Sequence, residues 1–378
     1  MSDTRKTTKP NVPNLRFPGF EGEWDKLKVR DFTRVVAGAT PATDKKEYWG
    51  GVIRWMNSGE LNLKRVYEVQ GRITQLGYDK TSTKIIPPHS VLIGLAGQGK
   101  TRGTAAMNYV ELCTNQSIAS ILPSDSFYSE FLYQNVESRY KELRDISSGD
   151  GGRGGLNLQM IYNLYIPHCS MQEQKKIGDF LYLLDQRIAI QNKVIEKYES
   201  LIKALAHEII GKNAPNTMLS ECVCCTSSTL KESDLSDAGA VPAYGAAGIS
   251  GFIDSALSDG DSILITKDGS GVGSLRYVVG HHSFVGTLNS MTPKEGVYLP
   301  YIYYALQNVC FESYRTGQAI PHIYFKDYGK EALYCPSFDD QKRLAKGLEM
   351  IDAKIGIERA AIQNLQLVKA YLLSAMFI

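Results

Sequence analysis

The plainest chemical signature in the chain is Gly94-Leu95-Ala96-Gly97-Gln98-Gly99-Lys100-Thr101, which fits G-x-x-x-x-G-K-[ST] without a mismatch. In a phosphate-binding loop the glycine N–H groups wrap the phosphates, the Lys neutralises them and the hydroxyl holds Mg²⁺. Such a loop also needs a helix starting at the Lys-Thr pair, so that its N-terminus faces the phosphate. Here Arg102-Gly103-Thr104 follows, and a glycine weakens a first helical turn. No later apolar run in this part of the chain ends in the Asp or Glu that would hold Mg²⁺. A P-loop NTPase is therefore a minor alternative reading.

Other catalytic spellings are missing. There is no G-x-S-x-G, no H-E-x-x-H and no Asn-Pro-Pro-Tyr. The triplets Asp44-Lys45-Lys46 and Glu173-Gln174-Lys175 have no nuclease context, and His281-His282 reads as an exposed turn pair. Cys222, Cys224 and Cys225 cluster without a second Cys or His pair at zinc-ligand spacing, so the seven cysteines read as reduced structural thiols. The expectation is a protein with no catalytic residues, no metal and no cofactor of its own.

A formal net charge of +2 permits nucleic-acid binding without demanding it. No apolar stretch approaches 18 residues, so no membrane span is expected. The start, MSDTRKTTKPNVPNLRFPGF, lacks the apolar middle of a secretion signal. It reads as a partly disordered leader of a cytoplasmic protein.

The elements that position any site come from an internal repeat. Gln174-Lys175-Lys176-Ile177 matches Gln341-Lys342-Arg343-Leu344, and the offset of 167 residues holds without a gap to the C-terminus. Asp185 falls on Asp352 and Ile188 on Ile355. Further back the match is looser: Val91-Leu92-Ile93 resembles Ile263-Leu264-Ile265, Gly97 and Gly99 fall on Gly269 and Gly271, and Gly103-Thr104 meets Gly273-Ser274 if the second copy drops two residues. The second copy keeps the glycines and loses the Lys-Thr, which is further reason to read both stretches as Gly-rich turns between strands.

The C-terminal part of each copy reads in heptads. In the first, Ile177, Leu184, Gln191, Tyr198 and Leu205 interleave with Leu181, Ile188, Ile195, Ile202 and Ile209; in the second, Leu344, Ile351, Glu358, Leu365 and Leu372 interleave with Leu348, Ile355, Ile362, Lys369 and Met376. Spacing of 3.5 predicts a coiled-coil seam, here between two helices of ~35–38 residues, or ~50–57 Å. Gln191 and Glu358 share one slot near mid-helix. If the helices pair antiparallel, these two meet as a polar layer that fixes register. The expected interface residues are Ile177, Leu181, Leu184, Ile188, Gln191, Ile195, Leu344, Leu348, Ile351, Ile355, Glu358 and Ile362.

The remaining parts carry short apolar runs separated by Gly and Asp turns, and read as mostly β, with helices at Phe127–Glu142 and Leu299–Tyr314 packing tyrosines into the core. The predicted fold is α+β, with two mostly-β domains separated by two long antiparallel helices about a pseudo-two-fold. Its divisions are a leader at 1–22, a first mostly-β domain at 23–168, a helix at 169–212, a second mostly-β domain at 213–336 and a helix at 337–378.

Two similar units on two long helices suit a ligand with two sites at fixed separation, and DNA half-sites are such a ligand. At this point the chain resembles a family, the specificity (S) subunits of type I restriction-modification systems. The resemblance rests on Pro13-Asn14-Leu15-Arg16-Phe17-Pro18-Gly19-Phe20 with Trp24, and on the strand–Gly-turn stretches Val91–Gly99 and Ile263–Gly273. It rests also on Pro167 followed by Glu173-Gln174-Lys175-Lys176-Ile177, and Pro336 followed by Asp340-Gln341-Lys342-Arg343-Leu344. It covers nearly all residues after about 10. It implies a non-catalytic subunit whose two target recognition domains each read half of a bipartite double-stranded DNA site, with the helices as a ruler. It implies docking of two methyltransferase (M) subunits using S-adenosylmethionine and, through the complex, restriction (R) subunits using ATP and Mg. Rival readings are a specificity subunit of another restriction class and a purely structural coiled-coil dimeriser.

Phosphates are met by Lys, Arg and backbone N–H groups, and bases by Arg, Lys, Asn and Gln. The DNA-contact candidates are Arg54, Asn57, Ser58, Lys100, Arg102 and Arg153 in the first unit. In the second they are Tyr244, Lys267, Arg276, Gln318 and His322. Outward helix residues Lys193, Glu196, Lys197 and Glu199 are candidates for M-subunit contacts.

Overall fold

A computed structural model describes residues 11–97, 99–147, 154–317 and 320–378. The chain divides into two compact units, one of residues up to Ile190 together with Ile362–Ile378, the other Gln191–Ala361. Each unit holds one globular part and portions of both long helices.

In the first unit a five-stranded sheet runs in the order Val35–Ala37, Ile118–Ile121, Val91–Gly94, Ala105–Asn108, Arg65–Val66. All pairs are antiparallel except the last. Successive strand residues face opposite sides. Val91 and Ile93 enter one apolar cluster with Phe131 and Ile177, while Leu92 enters another with Met56 and Leu61. Burial on both faces explains the unbroken apolar spelling of this strand. A second sheet runs Arg72–Ile73, Trp49–Met56, Cys113–Thr114, antiparallel then parallel.

The second unit repeats the plan. Its four-stranded antiparallel sheet runs Val223–Ser227, Leu288–Pro293, Ser262–Thr266, Leu275–Val278. Its three-stranded sheet runs Gly248–Ile253, Val241–Gly245, Ser283–Phe284, again antiparallel then parallel. Among the described residues, no strand in its four-stranded sheet corresponds to Arg65–Val66. The tyrosine-rich segments are broken rather than continuous: Ser129–Ser138 and Tyr140–Ile146 in one unit, and Leu299–Ala305 followed by short 3₁₀ turns in the other. Tyr133, Tyr301 and Tyr304 are buried, as core packing requires.

The long helices span Met171–Ala206 and Phe338–Met376. Both start the same way: Ser170 and Ser337 lend a hydroxyl to the backbone N–H of Glu173 (3.3 Å) and Asp340 (3.4 Å), the N-cap position where a short hydroxyl substitutes for a missing helical acceptor. In the first unit Ile177, Leu181, Leu372 and Met376 share one cluster. In the second, Ile195, Leu348 and Ile355 are buried, and Gln191 Nε2 donates to Glu358 Oε2 at 2.9 Å. Ile362 is buried as well, and Leu184, Ile188, Leu344 and Ile351 are half-buried. The two helices form the expected antiparallel coiled coil, with its polar layer at Gln191 and Glu358. Among the described residues no helix is long and apolar enough to cross a membrane.

Candidate nucleic-acid interface

The motif at Gly94–Thr101 is a hairpin end. Strands Val91–Ile93 and Ala105–Met107 pair antiparallel across it. Gly103 N donates to Gly94 O at 2.8 Å, Gly94 N to Thr104 O at 3.0 Å and Thr104 N to Thr101 O at 3.0 Å. These N–H groups are spent inside the turn, and no helix starts at Lys100-Thr101. Gly97 and Gly103 sit at φ +120° and +80°, where a side chain would be strained. The second unit reproduces the bonds: Gly273 N to Thr266 O at 2.8 Å, Thr266 N to Ser274 O at 3.0 Å and Ser274 N to Gly271 O at 3.1 Å. Gly269 and Gly273 take φ +96° and +85°. The phosphate-loop reading fails on this geometry.

The helix Tyr140–Ile146 buttresses the first hairpin, with Arg144 Nη1 donating to Gly99 O at 2.6 Å and Tyr140 Oη to Lys100 O at 3.3 Å. The Lys100 side chain stays exposed. Arg102 is half-buried and donates to Gly154 O. The turn Ser58–Leu63 lies beside this hairpin through Leu61, and Asn57 caps it, its Oδ1 accepting from Gly59 N at 2.8 Å. Ser58 opens the same turn. The Arg54 guanidinium is held by Glu68 at 2.8 and 3.2 Å.

In the second unit Lys267 pairs with Asp268. The backbone of His322 pairs antiparallel with that of Asp268, and its ring stands edge-on to Tyr324. The exposed Arg276 lies 6.0 Å from the Tyr244 ring, and Tyr244 meets His282 edge-on. Arg153 and Gln318 lie outside the described residues. Each unit thus gathers its placed candidates around the Gly-rich hairpin and the neighbouring small sheet. Several are already engaged by neighbours of their own unit.

Sequence reasoning missed the residues that mount each globular part on the helices. Gln174 and Gln341 are completely buried at the start of the long helices. Gln174 Oε1 accepts from Tyr128 N at 2.8 Å, and its Nε2 donates to Cys169 O (2.9 Å) and Ser126 O (3.1 Å). Gln341 does the same with Tyr298 N (2.8 Å), Pro336 O (2.9 Å) and Gly296 O (3.3 Å). Repetition of Gln in the aligned pair was the available signal. At the N-terminal side, Arg16 grips the buried Glu173 through two bonds of 2.7 and 2.9 Å.

The first unit adds an ion cluster. Arg65 donates to Glu130 (2.6 and 2.7 Å) and Asp185 (2.8 Å), between the rings of Tyr133 and Tyr182 at 4.9 and 4.5 Å. Lys369 donates to Asp185 at 2.5 Å and Glu137 at 3.0 Å. Burial alone would raise the Asp185 pKa. The Lys369 charge, with hydrogen bonds from Lys369, Arg65 and Gln134, outweighs it and holds the carboxyl below its ordinary value. Burial would likewise lower Lys369, and the charges of Glu137 and Asp185 keep it above the usual lysine value. Among the described residues no group of three or more His, Cys, Asp or Glu is placed to hold a metal ion.

A family model for the type I restriction modification DNA specificity domain matches twice, at residues 21–200 and 223–367. The chain belongs to that family. The two matches carry the two copies of the repeat. Among similar specificity subunits of type I restriction enzymes, the MjaIX subunit of Methanocaldococcus jannaschii is 33% identical over 46% of this chain and 41% of its own length. One from Escherichia coli is 23% identical over 50% of each chain. The chain thus spans half or less of these relatives' lengths. The solved S subunit of a type I system from M. genitalium shares the fold, covering 97% of this chain and 99% of its own, at 20% identity and a TM-score of 0.63. A chain from a structure addressing complex assembly and conformational transition of the type I system covers 96% and 99%, at 16% identity and a TM-score of 0.51.

Proposed function

We propose that this chain is the DNA-reading specificity subunit of a type I restriction-modification complex, each unit recognising one half of a bipartite site. One observation carries the reading: the strand–Gly-turn–strand device occurs twice, with the same backbone bonds and different side chains around it. A shared frame with divergent loops is what two unlike half-sites need. Phosphate contacts would come from Lys100 and Arg102 in one unit and from Lys267 and Arg276 in the other. Arg54, Asn57, Ser58, Tyr244 and His322 are the placed candidates for base edges or register. The long helices set the spacing and dock two methyltransferase subunits, and restriction subunits join through them. S-adenosylmethionine, ATP and Mg act in those partners, and this subunit carries no catalysis.

The test uses the chain assembled with its methyltransferase subunits on duplexes in which each half-site is scrambled in turn. Mapping methylated adenines in hosts with and without the gene supplies the target. Lys100→Ala should weaken binding through one half-site, reducing the salt slope by about 1, and Arg276→Ala should act through the other. A response of both half-sites to either variant, or of neither, overturns the assignment.

A further inference from the structure

Each globular part is closed at its base by a short strand pair, and the two units fill the space beside that pair differently. In the first unit Asp25–Lys28 pairs antiparallel with Tyr165–His168, Lys28 opposite Tyr165 and Leu27 opposite Ile166. In the second, Thr217–Met218 pairs antiparallel with Ala332–Leu333, Met218 opposite Ala332 and Thr217 opposite Leu333. A one-turn helix follows each first strand, Val29–Phe32 and Leu219–Cys222. Val29 N donates to Leu164 O at 3.1 Å, and Leu219 N to Glu331 O at 2.9 Å. This common register puts Cys222 in the place of Phe32 and Cys335 in the place of His168. Tyr128 and Tyr298 are equivalent, since each backbone N–H is received by the matched glutamine, so Val297 takes the place of Phe127. In the first unit the three positions form an aromatic stack: the Phe127 ring lies 4.1 Å from Phe32 and 5.2 Å from His168. The two outer positions face each other across a single ring.

In the second unit the middle ring is the smaller valine and the outer groups are thiols, Cys222 and Cys335, in hydrogen-bond contact with each other. Both are free thiols; Cys222 is buried and Cys335 half-buried. Their backbones are held. Asn216 Oδ1 accepts from Cys335 N at 2.8 Å, and its Nδ2 donates to Cys335 O at 3.0 Å. Lys294 N donates to Cys222 O at 2.9 Å. The neighbouring ionisable groups are engaged elsewhere. Tyr301 Oη donates to Tyr334 O at 2.7 Å, and Glu221 accepts from Thr217 Oγ1 at 2.7 Å and Met218 N at 3.0 Å. The pair is unequal. The Cys222 hydrogen bond brings the Cys335 thiol down to about 7, while that contact and burial push Cys222 up. Cys335 is thus the ionisable sulfur that solvent can reach, and Cys222 the protonated one behind it.

We propose that Cys222 and Cys335 form a redox site that a hydroperoxide closes to a disulfide. The Cys335 thiolate attacks one peroxide oxygen, the O–O bond breaks, and the other oxygen leaves and takes up a proton; with hydrogen peroxide it leaves as water. Cys335 is then a sulfenic acid. The sulfur of Cys222 attacks the sulfenic sulfur. The S–S bond forms, the S–O bond breaks, and the hydroxyl leaves with the Cys222 proton as a second water. Two electrons have passed from the thiol pair to one peroxide. The bridge ties the helix that opens the second globular part to the segment that enters Phe338–Met376, so nearly the whole part becomes one closed loop. Closing so long a loop restricts the unfolded chain, and the oxidised second unit opens less readily. The first unit has no thiol at either matched position and does not respond.

The experiment treats the reduced full-length chain with one equivalent of hydrogen peroxide at neutral pH, digests it without reductant and maps the thiols by mass spectrometry. The expected product is a Cys222–Cys335 linked peptide, two hydrogens lighter than the separate thiol peptides and reopened by dithiothreitol. It should form roughly tenfold faster than oxidation products of the exposed Cys224 and Cys310. Cys222→Ala should leave Cys335 as a sulfenic acid that dimedone traps, and Cys335→Ala should leave Cys222 a free thiol. Hydrogen exchange should slow in the second unit of the oxidised wild-type chain and stay unchanged in the first. Oxidation of Cys224 or Cys310 while Cys222 and Cys335 remain thiols overturns the proposal. So does oxidation of wild-type Cys335 that never links to Cys222. Both readings are made on the wild-type chain, so a variant that fails to fold leaves the test standing.

Discussion

Asp185 and Asp352 stand at the same step of the same repeat, on helices spelled alike, yet their surroundings drive them in opposite directions. Asp185 sits among Lys369, Arg65 and Gln134 and is held ionised. Asp352 has one tyrosine hydroxyl and an open cavity, and burial holds its proton more tightly. The carboxylate belongs to the shared frame; the cations come from what differs, an extra strand bearing Arg65 and a single heptad slot that is Lys in one helix and Ile in the other. A duplicated scaffold can therefore lock one globular part with internal charge and leave a cavity at the matched place in the other.

The largest expected effect breaks this contrast directly. Arg65→Ala leaves Glu130 and Asp185 buried with part of their compensation removed, and losing one partner of such a cluster costs about 3–5 kcal/mol. The change to set against it in the other unit, Asp352→Asn, removes a carboxylate with no directly bonded cation among the described residues and should cost less than about 0.5 kcal/mol. Hydrogen exchange resolved by unit, with denaturant midpoints, measures both. Comparable losses in the two variants would show that the ion cluster does not distinguish the units.

The next effect tests where the units should agree. Gln174→Ala and Gln341→Ala each delete three hydrogen bonds and strand a tyrosine N–H in the interior. Unsatisfied buried groups cost about 1–3 kcal/mol, so each variant should lose roughly 2–3 kcal/mol in its own unit. A loss confined to one of them would mean that the two mounts are alike in geometry and unlike in strength.

These residues also show what could be read from the sequence. The repeat, the heptads and the Gly-rich turns were legible because each rests on local spacing: apolar residues every 3.5 positions, or glycines where φ turns positive. The meeting of Gln191 with Glu358 was legible for the same reason, since antiparallel pairing of matched helices brings equal slots together. Arg65 was not legible. It lies 120 residues from Asp185 on a two-residue strand with no pattern of its own, and only the folded sheet brings it to the helix. Lys369 was visible as a cation in an apolar row, but its reason lay in Glu137 and Asp185, outside any periodicity. Lys100 and Arg102 were singled out through a phosphate-loop spelling that the hairpin does not support, and their place at a buttressed turn, Lys100 exposed and Arg102 half-buried, comes from the structure.

The smallest effect sharpens the comparison through pH. A carboxyl whose folded pKa is depressed contributes stability that is present above its unfolded value and lost as pH falls through the folded value. Asp185 is that case, so its share in the first unit is lost only below about 3.9, the ordinary aspartate value. A carboxyl whose folded pKa is raised contributes stability that is complete below the unfolded value and lost as pH rises through the folded one. Asp352 is that case, so acidification from neutrality should firm up the second unit between its raised pKa and about 3.9, before the first unit begins to lose Asp185. Hydrogen exchange of each unit along a pH series reads the two trends separately. Asp352→Asn should flatten the gain in the second unit, and Asp185→Asn the loss in the first. If the Asp352→Asn chain still firms up over that window, the gain comes from another group and the opposition between the two aspartates fails.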